Sequence, residues 1–586
     1  MDALLMNNQL GSNKNQPIQT QPKSKILGSE ALLKCLIAEN VTVIFGYPGG
    51  AIMPVYDSLY FYEDKLKHVL VRHEQGAAFA AQGYARVSGK VGVALSTSGP
   101  GATNLITGLA DALIDSTPIV CITGQVFSHL LGTDAFQETD VINTSIPVTK
   151  WSAQITEAKD IAGVMAKAFY IAKSGRPGPV LIDITKNAQI EPIDNFEYKP
   201  CLSIATYNSK PKLQLDKVAK AATLINSSKR PYILAGQGVL LSDASKELVA
   251  FSEKTGVPVA CTLLGLGAIP TEHPNYVGYL GMHGNYGPNV NTNNCDLLIA
   301  IGMRFDDRVT GNVSKYAKQA KVIHIDIDHA EINKIIKTDV AIVADAKDAL
   351  VALIENCKKN NHADWIETFE QFKKVEYDKV INNEIHSTGT LRMAEVINRL
   401  SEISKGEAII VTDVGQHQMI TSRYYQYKSP RTNVTSGGAG SMGFSLPASI
   451  GAKFALPKQK VVAIMGDGGF QMNIQELGTV MQYKVPVKIL ILNNNFLGMV
   501  RQWQELFHEK RYSSTELQNP DFIKISEGYG IMAKRVDERE HLDQALKEFW
   551  ESETAFLLEV VVGCQHNVFP MVPSGAGVSE ILLEKN

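Results

Sequence analysis

Two short runs rich in β-branched residues, Val461–Met465 and Val487–Leu492, enclose a stretch in which Ile474, Leu477, Val480 and Met481 recur at helical spacing. The pattern predicts strand, turn, helix, strand. A connection of that length joins parallel neighbours through a right-handed crossover, so this region of the chain must be α/β. Gly466, Asp467, Gly468 and Gly469 follow the first run and Asn494 follows the second. Asp467 and Asn494 thus fall just past the carboxyl ends of adjacent strands, where open α/β sheets bind ligands. A carboxylate, an amide oxygen, a backbone carbonyl, a water and two phosphate oxygens would complete the octahedral shell of Mg²⁺. The glycines are expected to let the backbone approach a phosphate without a clashing Cβ. GDG by itself fits an ordinary βα turn. Its conjunction with Asn494 after a second buried strand favours a magnesium diphosphate site.

A chain of 586 residues exceeds what one core organises, and three domains are expected. With 45% hydrophobic and 20% charged residues and a net charge of -3, nothing in the composition favours nucleic acid or an anionic membrane. The seven cysteines (Cys35, Cys121, Cys201, Cys261, Cys295, Cys357 and Cys564) form neither a CxxC pair nor a Cys/His cluster, which argues against zinc and disulfides and fits a reducing compartment. No run of about 18 apolar residues occurs. Residues 1–25 are polar, resemble neither a signal peptide nor a mitochondrial presequence, and are read as a disordered tail on a cytoplasmic protein.

Helical and strand patterns alternate along the rest. The first unit, 26–190, has a helix from Ser29 through Ile37 and strands at Val41–Gly46, Gly92–Ser96, Ile119–Thr123 and Val180–Ile184. Residues 191–213, with Pro192, Pro200 and Pro211, read as a linker. A second unit, 214–357, has strands at Tyr232–Ala235, Leu297–Ile301 and Val322–Ile327. The charged stretch 358–388 carries few apolar anchors and reads as a second linker. The third unit, 389–565, runs from a strand at Ala408–Val411 to one at Phe556–Val561, and 566–586 remain as a tail expected over the active site. Three successive parallel-sheet α/β domains follow.

The first and third units resemble the pyrimidine and diphosphate domains of thiamine-diphosphate enzymes of the pyruvate oxidase/decarboxylase-like architecture. The runs FGYPGGAIMPVYD (45–57), RHEQGAAFAAQGYAR (72–86), STSGPGATN (96–104), GTDAFQETD (132–140), MRFDDRVTG (303–311), DVGQHQM (413–419), TSGGAGSMGFSLPASIGA (435–452) and GMVRQWQELF (498–507) narrow the resemblance to the catalytic large subunits of acetohydroxyacid synthase, also called acetolactate synthase. It extends from about residue 26 to the carboxyl terminus.

What the resemblance implies can be stated residue by residue. Glu74 bonds the ring nitrogen of the cofactor's aminopyrimidine and drives the imino tautomer that removes the thiazolium C2 proton. Asp467, Asn494 and Phe496 hold Mg²⁺. Val414, Gly415, Gln416, His417, Gly440, Met442, Gly466, Gly468, Gly469 and Gly498 line the thiamine diphosphate, and Met499 props it into a bent shape, a task that suits an unbranched, polarizable side chain. His417 also has a plain reading as a hydrogen-bonded structural histidine. The implied reaction is addition of the C2 carbanion to pyruvate, loss of CO₂, and attack of the enamine on a second 2-keto acid. With pyruvate as acceptor the product is 2-acetolactate, and with 2-ketobutyrate it is 2-aceto-2-hydroxybutyrate. Arg308 is similar to the acceptor-carboxylate arginine, a task that suits a planar bidentate donor. Met282 and Trp503 match residues around the acceptor's alkyl group, while Phe136, Gln137 and Lys186 match residues at the site entrance.

The middle unit resembles the FAD-binding domain of the biosynthetic enzymes. Gly236, Gly238, Thr262, His283, Gly302, Arg304, Asp306, Arg308, Asp326 and Asp345, with Arg176 from the first unit, match flavin contacts. The flavin has no net redox role there. Because Glu74 and Asp467 lie in different units, and in the family those come from different subunits, a homodimer or homotetramer is implied, with a separate regulatory small subunit. One departure stands out: Phe127 follows GQV where the family usually has proline, and altered affinity for herbicides that plug this channel is expected, which inhibition curves of Phe127→Pro would test. Competing readings are an FAD-linked pyruvate oxidase, a glyoxylate carboligase, which Glu74 opposes, and a non-catalytic cofactor-binding paralogue.

Overall fold

Three six-stranded parallel sheets organise residues 25–585, the span described by the computed structural model. The tail assigned to residues 1–25 lies, apart from Lys25, outside the described residues. The first sheet comprises Val43–Gly46, Lys67–Leu70, Gly92–Ser96, Ile119–Gln125, Trp151–Ile155 and Val180–Thr185. The third comprises Ile409–Thr412, Asn433–Thr435, Val461–Gly466, Lys488–Asn493, Met532–Val536 and Phe556–Val561. Ranked by sequence position, both have the strand order 2-1-3-4-6-5. The middle sheet differs. Its strands, Pro231–Ala235, Val259–Cys261, Tyr276–Tyr279, Leu297–Ile301, Lys321–Asp326 and Val340–Val343, run 3-2-1-4-5-6, the order of dinucleotide-binding folds, whose ligand crevice opens where the order reverses between ranks 1 and 4.

Helix Glu74–Ser88 explains how the first and third domains meet. Nearly all its residues are buried, on every face, and its sequence EQGAAFAAQGYARVS is accordingly rich in alanine rather than striped. It crosses helix Ser445–Ala455 with a reciprocal fit. A Cβ on Gly83 would stand 1.9 Å from the Ala448 carbonyl oxygen, and one on Gly451 would stand 1.8 Å from that of Ala80. Phe79 and Phe444 close the crossing edge to face at 5.2 Å.

Two stretches read as linkers carry more structure than the sequence suggested. Pro192–Ile193 pair antiparallel with Ile26–Leu27, fastening the two ends of the first domain together. Within 358–388 lie helix Ala363–Glu376, a π turn at Tyr377–Ile381 and helix Asn382–Ile385. Two buried aromatics anchor this stretch: Trp365 donates its indole N–H to the Pro231 carbonyl at 2.8 Å, and Phe369 packs on Tyr232 with ring centres 5.2 Å apart. Among the described residues, no helix is long and apolar enough to cross a membrane.

Candidate active site

Asp413, Asp467 and Asn494 follow three consecutive strands of the third sheet. Helix Asp467–Met472 begins at Asp467 itself, without the intervening turn expected, and after Asn473 a 3₁₀ turn leads into helix Leu477–Tyr483. Met481, expected on its buried stripe, is exposed. The Asp467 carboxyl is buried, and burial pushes its pKa up, opposed chiefly by the Asn519 side chain, which donates to Oδ2 at 2.7 Å. A buried carboxylate compensated only by dipoles attracts a cation. Asn494 is oriented by Gln416, its Nδ2 donating to Oε1 at 3.4 Å, while its Oδ1 accepts the Phe496 N–H at 3.1 Å. Among the described residues no three His, Cys, Asp or Glu gather into a metal cage. Mg²⁺ takes one or two carboxylates and draws its other ligands from phosphate and water. We expect Asp467→Ala to weaken magnesium-dependent binding of thiamine diphosphate by at least about 100-fold, measured by fluorescence quenching. An unchanged affinity would remove Asp467 from the site.

Two glycines here sit directly against the protein's own side chains. A Cβ on Gly469 would lie 2.0 Å from Asp413 Oδ2, and one on Gly498 would lie 2.3 Å from Gln416 Oε1. They make room for the protein's own side chains. Asp413 in turn accepts from the Gly443 N–H at 2.8 Å and bonds His417 Nε2 at 2.7 Å, so His417 is the buried, hydrogen-bonded histidine of its plain reading and also faces Gly466. A Cβ on Gly468 would meet Leu497 first, at 2.8 Å, and Met442 at 3.6 Å. Gly415 precedes helix Gln416–Tyr424, whose first N–H groups point out of the sheet end, an arrangement suited to phosphate.

A chamber of about 1070 Å³ opens at the switch point of the middle sheet. Arg176, Gly238, Thr262, His283, Gly302, Arg304, Asp306, Asp326 and Asp345 line it, and it continues past Met282 and Arg308 to Val414, Gly440, Met499 and Trp503. Gly236 is the exception among the expected flavin contacts. Its missing Cβ faces the Gly302 carbonyl at 2.3 Å and Met303 at 2.4 Å, so it packs two turns together and does not face the chamber. The chamber's polar groups suit a dinucleotide. Asp326 stands at the end of a strand, as ribose-binding carboxylates do, and burial pushes it up to about 7. Arg176 reaches over from the first domain and is held by Glu331 at 2.8 Å, Ser116 Oγ at 2.8 Å and Asp328 at 3.4 Å. Burial, reinforced by Arg423 and Arg308, lowers His283 to about 3, and its Nδ1 is buried with no hydrogen-bond partner. Asp306, Asp345 and Thr262 each cap a helix or turn as well as lining the wall.

The remaining expected residues belong to the first domain, and none of them lines this chamber. Glu74 opens its helix with the side chain 9% exposed, and Oε2 accepts from Asn104 Nδ2 at 2.9 Å. Gln137, with φ of 59°, abuts Gly99; the Lys186 ammonium lies 5.8 Å from the ring centre of Phe127; Phe136 is 88% exposed. Glu74, Phe136, Gln137 and Lys186 therefore stand outside the chamber that Val414, Gly440 and Met499 share with Met282, Arg308 and Trp503. Residues 566–585 strap the third domain to the middle one. Gln416 Nε2 donates to the His566 carbonyl at 3.0 Å, Val568 N–H to Gln502 Oε1 at 2.8 Å, and Val572 N–H to the Met282 carbonyl at 2.8 Å. Arg308, whose side chain is largely exposed, approaches Asp307 at 3.5 Å and the Met282 sulfur at 3.7 Å.

Sequence reasoning missed Asn519, Asp413 and Glu331. Asn519 also donates to Asn493 and Asn495, drawing the two βα loops together. Only Asp413, inside DVGQHQM, carried a local signal.

Three family profiles match in order: the N-terminal TPP-binding domain of thiamine pyrophosphate enzymes over residues 26–144, their central domain over 218–353, and their C-terminal TPP-binding domain over 413–560. The chain is 46% identical over 571 residues to a probable acetolactate synthase large subunit of Methanocaldococcus jannaschii, covering 95% of each chain. It is 44% identical to the acetolactate synthase large subunit of Lactococcus lactis, covering 95% of this chain and 96% of the relative. For the large subunit of acetolactate synthase isozyme 2 of Escherichia coli the identity is 44%, over 95% of this chain and 99% of the relative.

Proposed function

Because the chain belongs to the thiamine pyrophosphate enzymes, in the family of acetolactate synthase large subunits, we propose that it decarboxylates pyruvate and ligates the two-carbon unit to a second 2-keto acid. Pyruvate as acceptor gives 2-acetolactate and 2-ketobutyrate gives 2-aceto-2-hydroxybutyrate, precursors of the branched-chain amino acids. The observation that carries this reading is the continuity of one chamber from the loops bearing Val414, Gly440 and Met499 to Met282, Arg308 and Trp503. When bound, thiamine diphosphate supplies the nucleophilic carbon and the electron sink that decarboxylation of a 2-keto acid needs.

The residues divide that work. Asp467, the Asn494 amide oxygen and the Phe496 carbonyl would hold Mg²⁺, and the N-terminus of helix Gln416–Tyr424 would offer N–H donors to phosphate oxygens. Met499 would prop the cofactor from the chamber wall. Arg308 takes the acceptor's carboxylate through paired N–H donors, and Trp503 and Met282 close on its alkyl group, where one methylene is worth about 1–3 kcal/mol. Glu74 would exchange a proton with the pyrimidine ring nitrogen of the partner subunit's cofactor, with Gln137, Lys186 and Phe136 at the entrance, and the active unit would then be a homodimer or a tetramer built from it. Arg176, Asp326 and His283 would hold FAD on the dinucleotide side of the chamber, where it would serve without a net redox role. The relatives' names as large subunits support pairing with a separate regulatory small subunit. A cytoplasmic location fits the scattered free cysteines.

The test is an assay of CO₂ and acetolactate from pyruvate with thiamine diphosphate, Mg²⁺ and FAD and no electron acceptor. Stoichiometric acetolactate is expected. Product formed only with an added electron acceptor would overturn the carboligase reading in favour of an oxidase.

A further inference from the structure

We propose that the buried ion pair Glu376–Arg423 is a positioning device that sets the place of Met282 and His283 in the chamber, and through them acceptor choice and flavin affinity, while touching neither ligand. What the chamber binds rests on the function proposed above; the clamp itself rests on geometry.

Arg423 lies near the end of helix Gln416–Tyr424, whose other end faces the diphosphate cradle, and Glu376 ends helix Ala363–Glu376 just before the π turn. The two side chains are 0% and 2% exposed and are joined through Arg423 Nη1 and Glu376 Oε1. Between them they grip four consecutive residues of the middle domain. Arg423 Nη2 donates to the carbonyls of His283 at 2.6 Å and Gly284 at 3.0 Å. Glu376 accepts from Asn285 Nδ2 at 2.9 Å and from the Tyr286 N–H at 2.7 Å. The guanidinium also lies 5.7 Å from the ring centre of Tyr279, whose hydroxyl donates to the same His283 carbonyl. The first gripped residue, His283, lines the chamber, and so does its chain neighbour Met282, whose N–H donates to the Arg308 carbonyl at 2.7 Å. Displacing the segment therefore displaces the acceptor pocket and the unpartnered imidazole nitrogen together.

Simple domain glue is a poorer account of the pair. Burying two charges is a weak way to gain stability, since an apolar pair of similar volume does as well or better. Arg423 Nε has no partner at all. What the pair does supply is direction, because a planar guanidinium and a carboxylate fix the backbone they bind in one register. A π turn directly after Glu376 is of the kind found at functional positions in helices.

The decisive comparison is the full-length holoenzyme against Glu376→Gln/Arg423→Met, which removes both charges and leaves neither one buried alone. Amide exchange over 279–286 should quicken by about tenfold or more while helix Glu74–Ser88 keeps its protection. With equimolar pyruvate and 2-ketobutyrate the ratio of the two products should shift by about threefold or more, through KM for the acceptor rather than kcat. Arg423→Lys, which keeps the charge but not the paired donors, should fall between the two. A folded double variant with wild-type exchange in 279–286 and a wild-type product ratio would overturn the proposal. Should the double variant fail to fold, Arg423→Lys carries the same readouts, and wild-type values for it would overturn the proposal equally. Failure of the wild-type protein to form either product would refute the proposed function, and the exchange measurement would still judge the clamp.

Discussion

Replacing Glu74 by glutamine will lower turnover by about 10²- to 10⁴-fold while thiamine diphosphate and Mg²⁺ remain bound. Glutamine matches glutamate in shape and can still accept from Asn104, so the helix start at residue 74 keeps its hydrogen bond. It cannot pass a proton to a ring nitrogen. The loss should therefore appear in kcat, with the KM for thiamine diphosphate moving by less than about tenfold, because binding energy comes mainly from the diphosphate side of the site. Steady-state kinetics with titrated cofactor separates the two. Turnover near that of the wild type would remove Glu74 from the mechanism, and a cofactor that no longer binds would recast it as a binding residue.

Gly451→Ala is expected to be the most damaging conservative change to the fold. The added methyl would sit 1.8 Å from the Ala80 carbonyl oxygen, a backbone atom that cannot swing aside. Overpacking a core costs about 1–3 kcal/mol where side chains can adjust, and here the two helices must separate, so a loss at or above the top of that range is expected. The same substitution at Gly528, where an added Cβ meets nothing within 4 Å, should be neutral within about 1 kcal/mol. Thermal unfolding of the two variants side by side decides the matter. Equal melting temperatures would mean that the crossing has slack the structure does not show.

How much of this was legible depended on which face of an element carries information. Interior strands declare themselves: Gly92–Ser96, Leu297–Ile301 and Phe556–Val561 are strands over the residues their apolar runs marked. Edge strands do not. Trp151–Ile155 and Met532–Val536 leave most residues partly exposed and therefore lack a continuous apolar run. Trp365 and Phe369 are the two buried aromatics of the four in a charged stretch, whose dense charges obscure the face they turn to the middle sheet. In the site, Asp467 and Asn494 were readable because each follows a strand that could be read. Asn519 was not, since it reaches Asp467 from a loop 52 positions away that has no periodicity of its own. The sequence shows that a Cβ is missing at Gly469 but not that the Asp413 carboxylate lies beside the gap.

The crossing of Glu74–Ser88 with Ser445–Ala455 also bears on motion. Each helix presses a carbonyl oxygen into the bare Cα of the other, in both directions, so the joint resists sliding along either axis as well as separation. The crossing thus joins the first and third domains into a unit suited to moving as a single body.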